Sequence, residues 1–150
     1  MPTRALIQEA DYTCGAFSVG RMLDHYATRR AWTDIRRLDF APDLVSGGRS
    51  MQMPDLKRLL QDNLGSANLR VKAGILDDAL PTGRPFVVAL GGPGGGHAVV
   101  VEAVLENGQL LRVYDPAIGI LQVRTDSFRR LVSTGVELGH NPVLYVVPRK

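Results

Sequence analysis

Gln8-Glu9-Ala10-Asp11-Tyr12-Thr13-Cys14-Gly15 holds the only cysteine of the 150-residue chain and runs directly into an amphipathic pattern. Ala16, Phe17, Val19, Met22, Leu23 and Tyr26 recur at helical spacing, which predicts a helix from about Cys14 to Thr28 with Thr13 as its N-cap. Cys14 then falls in the first turn, where unpaired backbone N–H groups and the positive dipole end stabilise a thiolate. A lone cysteine is by default a buried small hydrophobe. This one is preceded by Gln8, followed by Gly15, and answered far downstream by Gly96-His97 and Asp115-Pro116.

Outward from that stretch, the chain divides into a helical half and a strand half. A short helix is expected over 32–38, then a turn-rich connection through Ala41-Pro42 and Gly47-Gly48. Ser50 reads as the cap of a second helix with Pro54 in its first turn, and Met53, Leu56, Leu59, Leu60 and Leu64 form a core stripe that Gly65 ends. Beyond it the periodicity changes. Leu69-Arg70-Val71-Lys72 alternates, Ile75 to Leu80 reads as a helical turn, and Phe86-Val87-Val88-Ala89-Leu90 is a buried strand. The link Gly91 to Gly96 leads to a strand at His97-Ala98-Val99-Val100-Val101, suggesting a hairpin. Strands follow at Leu110 to Tyr114, after the turn Glu106-Asn107-Gly108, and at Ile118 to Val123; a helix over Thr125 to Val132 and a strand over Val143 to Val147 close the order. Helices first and an antiparallel sheet second make an α+β pattern. With no repeat or compositional break, residues 1–150 are expected to form one domain.

Composition narrows the function classes. The net charge of +3 comes with arginine pairs, Arg29-Arg30, Arg36-Arg37 and Arg129-Arg130, which read as solvated helix surface and not as a nucleic-acid tract. One cysteine forbids an internal disulfide, and His25, His97 and His140 are too scattered for a metal-ligand spacing, so no metal cluster is expected. His25 and His140 read as surface or supporting residues. Gly91 to Gly96 lacks the Gly-Lys-Ser/Thr ending of a phosphate loop and enters a strand. No signal-peptide stretch or bilayer-length apolar run is present, so a soluble chain made in the cytoplasm, without membrane insertion, is expected. Export by a route that needs no signal peptide is compatible with that expectation.

A cysteine protease needs a thiolate to attack the carbonyl, a histidine to protonate the leaving amine, a group to hold the histidine, and donors for the oxyanion. The chain offers one of each. Cys14 suits the nucleophile, His97 the base and acid, Asp115 the orienter that fixes the imidazole tautomer, and Gln8 the oxyanion donor beside the Cys14 backbone N–H. Antiparallel strands joined at Glu106 to Gly108 would bring the start of one beside the end of the other.

Gln8-x5-Cys14-Gly15, Gly96-His97-Ala98-Val99-Val100 and Val113-Tyr114-Asp115-Pro116 resemble the motif set of papain-like cysteine peptidases, most closely the bacteriocin-processing, double-glycine leader peptidases. The resemblance spans nearly the whole chain in order. It implies a papain-like α+β fold with an N-terminal helical lobe on a C-terminal antiparallel sheet, the Cys14, His97, Asp115 and Gln8 roles above, and cleavage after small residues, commonly Gly-Gly, without cofactor or metal. Exporter members of that family place an Asp directly before the cysteine, whereas here Thr13 stands there and the acid is Asp11. They are also fused to a membrane transporter. A free-standing domain of this size further resembles catalytic domains of bacterial toxins and effectors, which implies a protein or peptide substrate and a cognate immunity or inhibitor protein. Two alternatives stay open: glutamine deamidation or transglutaminase-type transfer through the same thioester chemistry, and a non-catalytic peptide-binding module.

Overall fold

The computed structural model describes residues 14–26, 53–64, 68–90, 97–136 and 142–148. The chain-ordered elements are α1 (Cys14–His25), α2 (Met53–Leu64), β1 (Leu69–Gly74), α3 (Leu76–Ala79), β2 (Phe86–Leu90), β3 (His97–Leu105), β4 (Leu110–Asp115), β5 (Gly119–Arg124), α4 (Thr125–Val136) and β6 (Val143–Pro148). Nearly every expected element is present. β3 and α4 each run four residues beyond their expected ends, and α1 stops at His25, short of Thr28. Gln8, the Thr13 and Ser50 caps, the helix expected over 32–38, the link 91–96 and His140 lie outside the described residues.

The strands form one six-stranded sheet in the order β1-β6-β2-β3-β4-β5, with every pairing antiparallel. β2 to β5 are a meander of neighbouring strands. β6, last in sequence, slots between β1 and β2. Both faces of the sheet are covered. On one, Val19 and Met22 of α1 and Leu56, Leu60 and Leu64 of α2 pack on Val71, Val87, Ala98, Val100, Tyr114, Leu144 and Val146. On the other, Leu76 and Ala79 of α3 and Phe128 and Val132 of α4 pack on Phe86, Val88, Val99, Val101, Leu111, Val113 and Val143. Burial on both sides is why β2 and β3 read as continuous apolar runs instead of alternating ones. The exposed Arg129 ties α4 to α3 through Asp77 at 2.8 Å.

Three polar devices fix the helices of the first face. Gln61 of α2 pairs its side-chain amide with the backbone of the edge strand β1, donating to the Leu69 carbonyl at 3.2 Å and accepting from the Val71 N–H at 2.8 Å. It thereby covers part of an edge that would otherwise be open to another strand. Tyr26, just past α1, donates its hydroxyl to the Pro85 carbonyl at 3.0 Å; burial pushes its pKa up to about 12, against the lowering pull of Arg84.

The third device is ionic. Glu102 occupies a β-bulge, the position where the β3–β4 register shifts between Val101 and Ala103. A bulge leaves one residue unpaired and re-aims its side chain, here toward α1. Arg21 grips the carboxylate with Nε on Oε2 and with Nη2 on Oε1 at 3.1 Å, and His25 Nε2 lies 2.5 Å from Oε2. Arg112 of β4 stands 3.7 Å from Oε1, and the Arg21 guanidinium lies 5.3 Å from the centre of the Tyr114 ring. Side-chain exposure is 2% for Arg21 and 3% for Glu102, so neither charge is compensated by bulk water. Burial alone would raise the Glu102 pKa, but the hydrogen bonds from His25 and Arg21, together with their charges, hold it below the usual carboxylate value.

Two measurements check these ties. Gln61→Ala should cost about 1–3 kcal/mol in urea unfolding and speed amide exchange at Val71, since two part-buried hydrogen bonds go with the side chain. For Glu102, a depressed folded-state pKa means stabilisation that is full above the unfolded value of about 4.3 and disappears as pH falls through the lower folded value. Glu102→Gln should therefore lower stability by about 3 kcal/mol at neutral pH. The gap to wild type should shrink below about pH 4 in urea midpoints measured across the acid range.

Candidate active site

α1 runs alongside β3 in the same direction. Ser18, fully buried, donates its hydroxyl to the Ala98 carbonyl at 3.0 Å, while Arg21 and His25 further along the helix meet Glu102 further along the strand. Small side chains at Ser18 and Ala98 let helix and strand approach closely enough for that hydroxyl to reach the backbone. One helical turn back from Ser18, about 6 Å, is Cys14, and one residue back along β3 from Ala98, about 3.3 Å, is the beginning of the strand. Cys14 is the first residue of α1 and His97 the first of β3. The two starts lie at the same end of the helix–strand pair, about 3 Å apart in level along it.

Asp115 arrives at the same end of the sheet from the other direction. β3 and β4 pair with Val100 opposite Tyr114, so one further step brings the last residue of β4, Asp115, opposite Val99, two residues from His97. The turn between these strands is tight because Asn107 and Gly108 both take positive φ, 54° and 92°. Asp115 is itself held by the turn that follows. Its Oδ1 accepts from the Ala117 N–H at 2.9 Å, and its carbonyl accepts from the Ile118 N–H at 3.0 Å. Pro116 supplies the preset φ of the first corner position, and Gly119, at φ 115°, takes a conformation that L side chains rarely adopt. Asp-Pro is thus a turn opener here, and the turn fixes one oxygen of the carboxylate.

The other histidines divide by position. His25 is eleven residues from Cys14 at the opposite end of α1, about 16 Å away along the axis, with its ring engaged by Glu102. His140, like Gln8, lies outside the described residues. Among the described residues no group of three His, Cys, Asp or Glu side chains is arranged to hold a metal, and no helix is long and apolar enough to cross a membrane.

The cluster of Arg21, His25, Glu102 and Arg112 was not anticipated by pattern. Its sequence trace is an acid, Glu102, interrupting the apolar run Val99 to Val104, and an arginine and a histidine four residues apart on the helix that packs there. Neither trace identifies the other without the register.

No protein-family model matches the sequence, and no curated protein matches it. Solved structures do match in shape. The chain is similar to the double glycine motif protease of an AMS/PCAT transporter, solved in complex with the leader peptide, with a TM-score of 0.66 at 17% identity over 97% of this chain and 94% of that one. It is similar to the peptidase domain of Streptococcus ComA, a bi-functional ABC transporter, with a TM-score of 0.67 at 14% identity over 97% and 98%. The peptidase domain of Streptococcus mutans ComA matches at 0.57 and 10% identity, over 97% and 100%. The chain accordingly has the papain-like α+β fold of these peptidase domains, helices packed on an antiparallel sheet.

Proposed function

We propose that the protein is a papain-like cysteine peptidase that hydrolyses peptide bonds after small residues, glycine foremost. The observation that carries this reading is the convergence of three chain positions at one end of the sheet. The sole cysteine opens α1, a histidine opens the strand α1 runs along, and an aspartate ends the adjacent strand. The fold shared with double-glycine peptidase domains supports it, and the leader peptide bound to one of those proteins supports a peptide substrate.

In this reading the Cys14 thiolate, favoured at a helix N-terminus, attacks the scissile carbonyl carbon. The oxyanion is met by the Cys14 backbone N–H and the Gln8 side-chain amide. His97, as imidazolium, gives its proton to the leaving amine, and the C–N bond breaks to leave a thioester. Water, deprotonated by His97, then attacks the thioester and releases the acid and the thiolate. Asp115 accepts the distal imidazole N–H and favours the charged ring. The preference for a small residue before the cut is supported by the likeness to double-glycine peptidase domains.

Deamidation of glutamine would use the same thioester with ammonia as leaving group, so the products tell the reactions apart. Comparing new protein N-termini after exposure to wild type and to Cys14→Ala should reveal cuts after small residues with wild type only, and should identify the substrate as an exported leader or another protein. Cys14→Ala and His97→Ala should each lower turnover by roughly 10⁴-fold or more with the fold intact by circular dichroism. Asp115→Asn should reduce it less. A mass gain of about one dalton in an uncut substrate would replace proteolysis by deamidation. A Cys14→Ala protein that still cleaves would remove Cys14 from the mechanism.

A further inference from the structure

The buried ion cluster beneath α1 has no part in the chemistry just described. Apolar contacts such as those of Val19 and Met22 hold a helix against a sheet without fixing where along its axis it rests, because hydrophobic attraction is non-directional. Axial position needs directional bonds. Among the described residues, α1 reaches β3 through the Ser18 hydroxyl on Ala98 and through the Arg21 and His25 side chains on Glu102. The second tie is the stiffer, since a forked guanidinium–carboxylate pair defines both distance and angle. It is backed by the Tyr114 ring and by Arg112, half-exposed on β4. The bulge exists at the one β3 position that presents a carboxylate to this helix face.

We infer that Glu102 is a positioning residue: gripped by Arg21 and His25, it locks α1 at one depth along β3 and so sets the separation of Cys14 from His97. The inference rests on the proposed Cys14–His97 pair. A direct field effect of Glu102 on the thiol is small, because the Arg21–Glu102 pair is about two turns down the helix from Cys14 and its opposite charges offset each other. The action is mechanical. A helix displaced by about 1 Å takes the nucleophile out of reach of its base, and such misplacement costs rate steeply.

The test uses the full chain, whose single cysteine makes alkylation by iodoacetamide a direct reading of Cys14. Three variants are compared with wild type: Glu102→Gln, Glu102→Asp, and the double variant Arg21→Met with Glu102→Leu. Replacing a buried ion pair by apolar side chains of similar volume commonly leaves stability unchanged or raises it, so the double variant separates positioning from folding. Wild type should alkylate with a pH inflection well below the ordinary thiol value of about 8.5. In the double variant the melting temperature should hold while alkylation near pH 6 slows about tenfold, the inflection moves toward that ordinary value, and kcat falls with KM nearly constant. Glu102→Asp, which keeps the charge and shortens the reach by one methylene, should fall between, and Glu102→Gln should lose both stability and reactivity. A wild-type alkylation profile in any folded variant lacking the full Arg21–Glu102 fork overturns the inference. An ordinary thiol profile in wild type itself overturns the Cys14–His97 reading, and the inference with it; the wild-type curve tells the two failures apart.

Discussion

A carboxylate with 3% side-chain exposure is tolerable only when cations meet it inside the protein, and that requirement joins the two halves of this fold. Glu102 comes from the sheet, Arg21 and His25 from the first helix, and Arg112 from the neighbouring strand. Remove the helix and a buried charge stands alone; remove the carboxylate and a guanidinium with 2% exposure does. Each partner makes the other's burial possible, so the helix is committed to one location and one direction along β3. The beginning of α1 and the beginning of β3, where the proposed nucleophile and base stand, lie at the same end of that pair.

Much of this architecture was legible in the residues because local rules and tertiary packing agree. Phe86 to Leu90 and Ala98 onward are apolar without alternation since helices cover both faces of the sheet, and Asn107 and Gly108 in one turn and Gly119 after the other suit their positive φ values. The boundary places of the candidate residues were legible too: Cys14, His97 and Asp115 each stand at the end of an element, where side-chain chemistry and chain punctuation coincide. Three features were not. The covering of the second face by α4 depends on topology, the pairing of Gln61 with β1 on the fold of an edge, and the Glu102 bulge on register. All three join segments through space, and no periodicity along one segment encodes them. His25 illustrates the difference: it reads as a surface or supporting residue, and only the register shows its ring, 16% exposed, spent on Glu102.

Identities of 10–17% with TM-scores of 0.57–0.67 mean that shape persists where almost every individual side chain differs. A two-faced antiparallel sheet with helices on each side asks for volume and pattern more than for particular residues, and cores accept wholesale apolar exchange on those terms. What such a scaffold cannot exchange freely are the polar ties that fix one element against another. Ser18 on Ala98 and Arg21 on Glu102 are ties of that kind in this chain.

The ties between α1 and β3 span 77 to 81 residues of sequence. Closing loops of that length is entropically costly and slow relative to local helix and hairpin formation. β3, β4 and β5 can assemble from near neighbours, whereas the seat of α1 must wait until the sheet offers a carboxylate to receive it. If α1 seats at that late step, the proposed nucleophile and base come to the same end of the sheet only then, and a chain caught part-way through folding would lack one half of the site beside the other. On the proposed reading, chemical competence and completed folding become a single event, which would confine bond cutting to molecules that have finished folding.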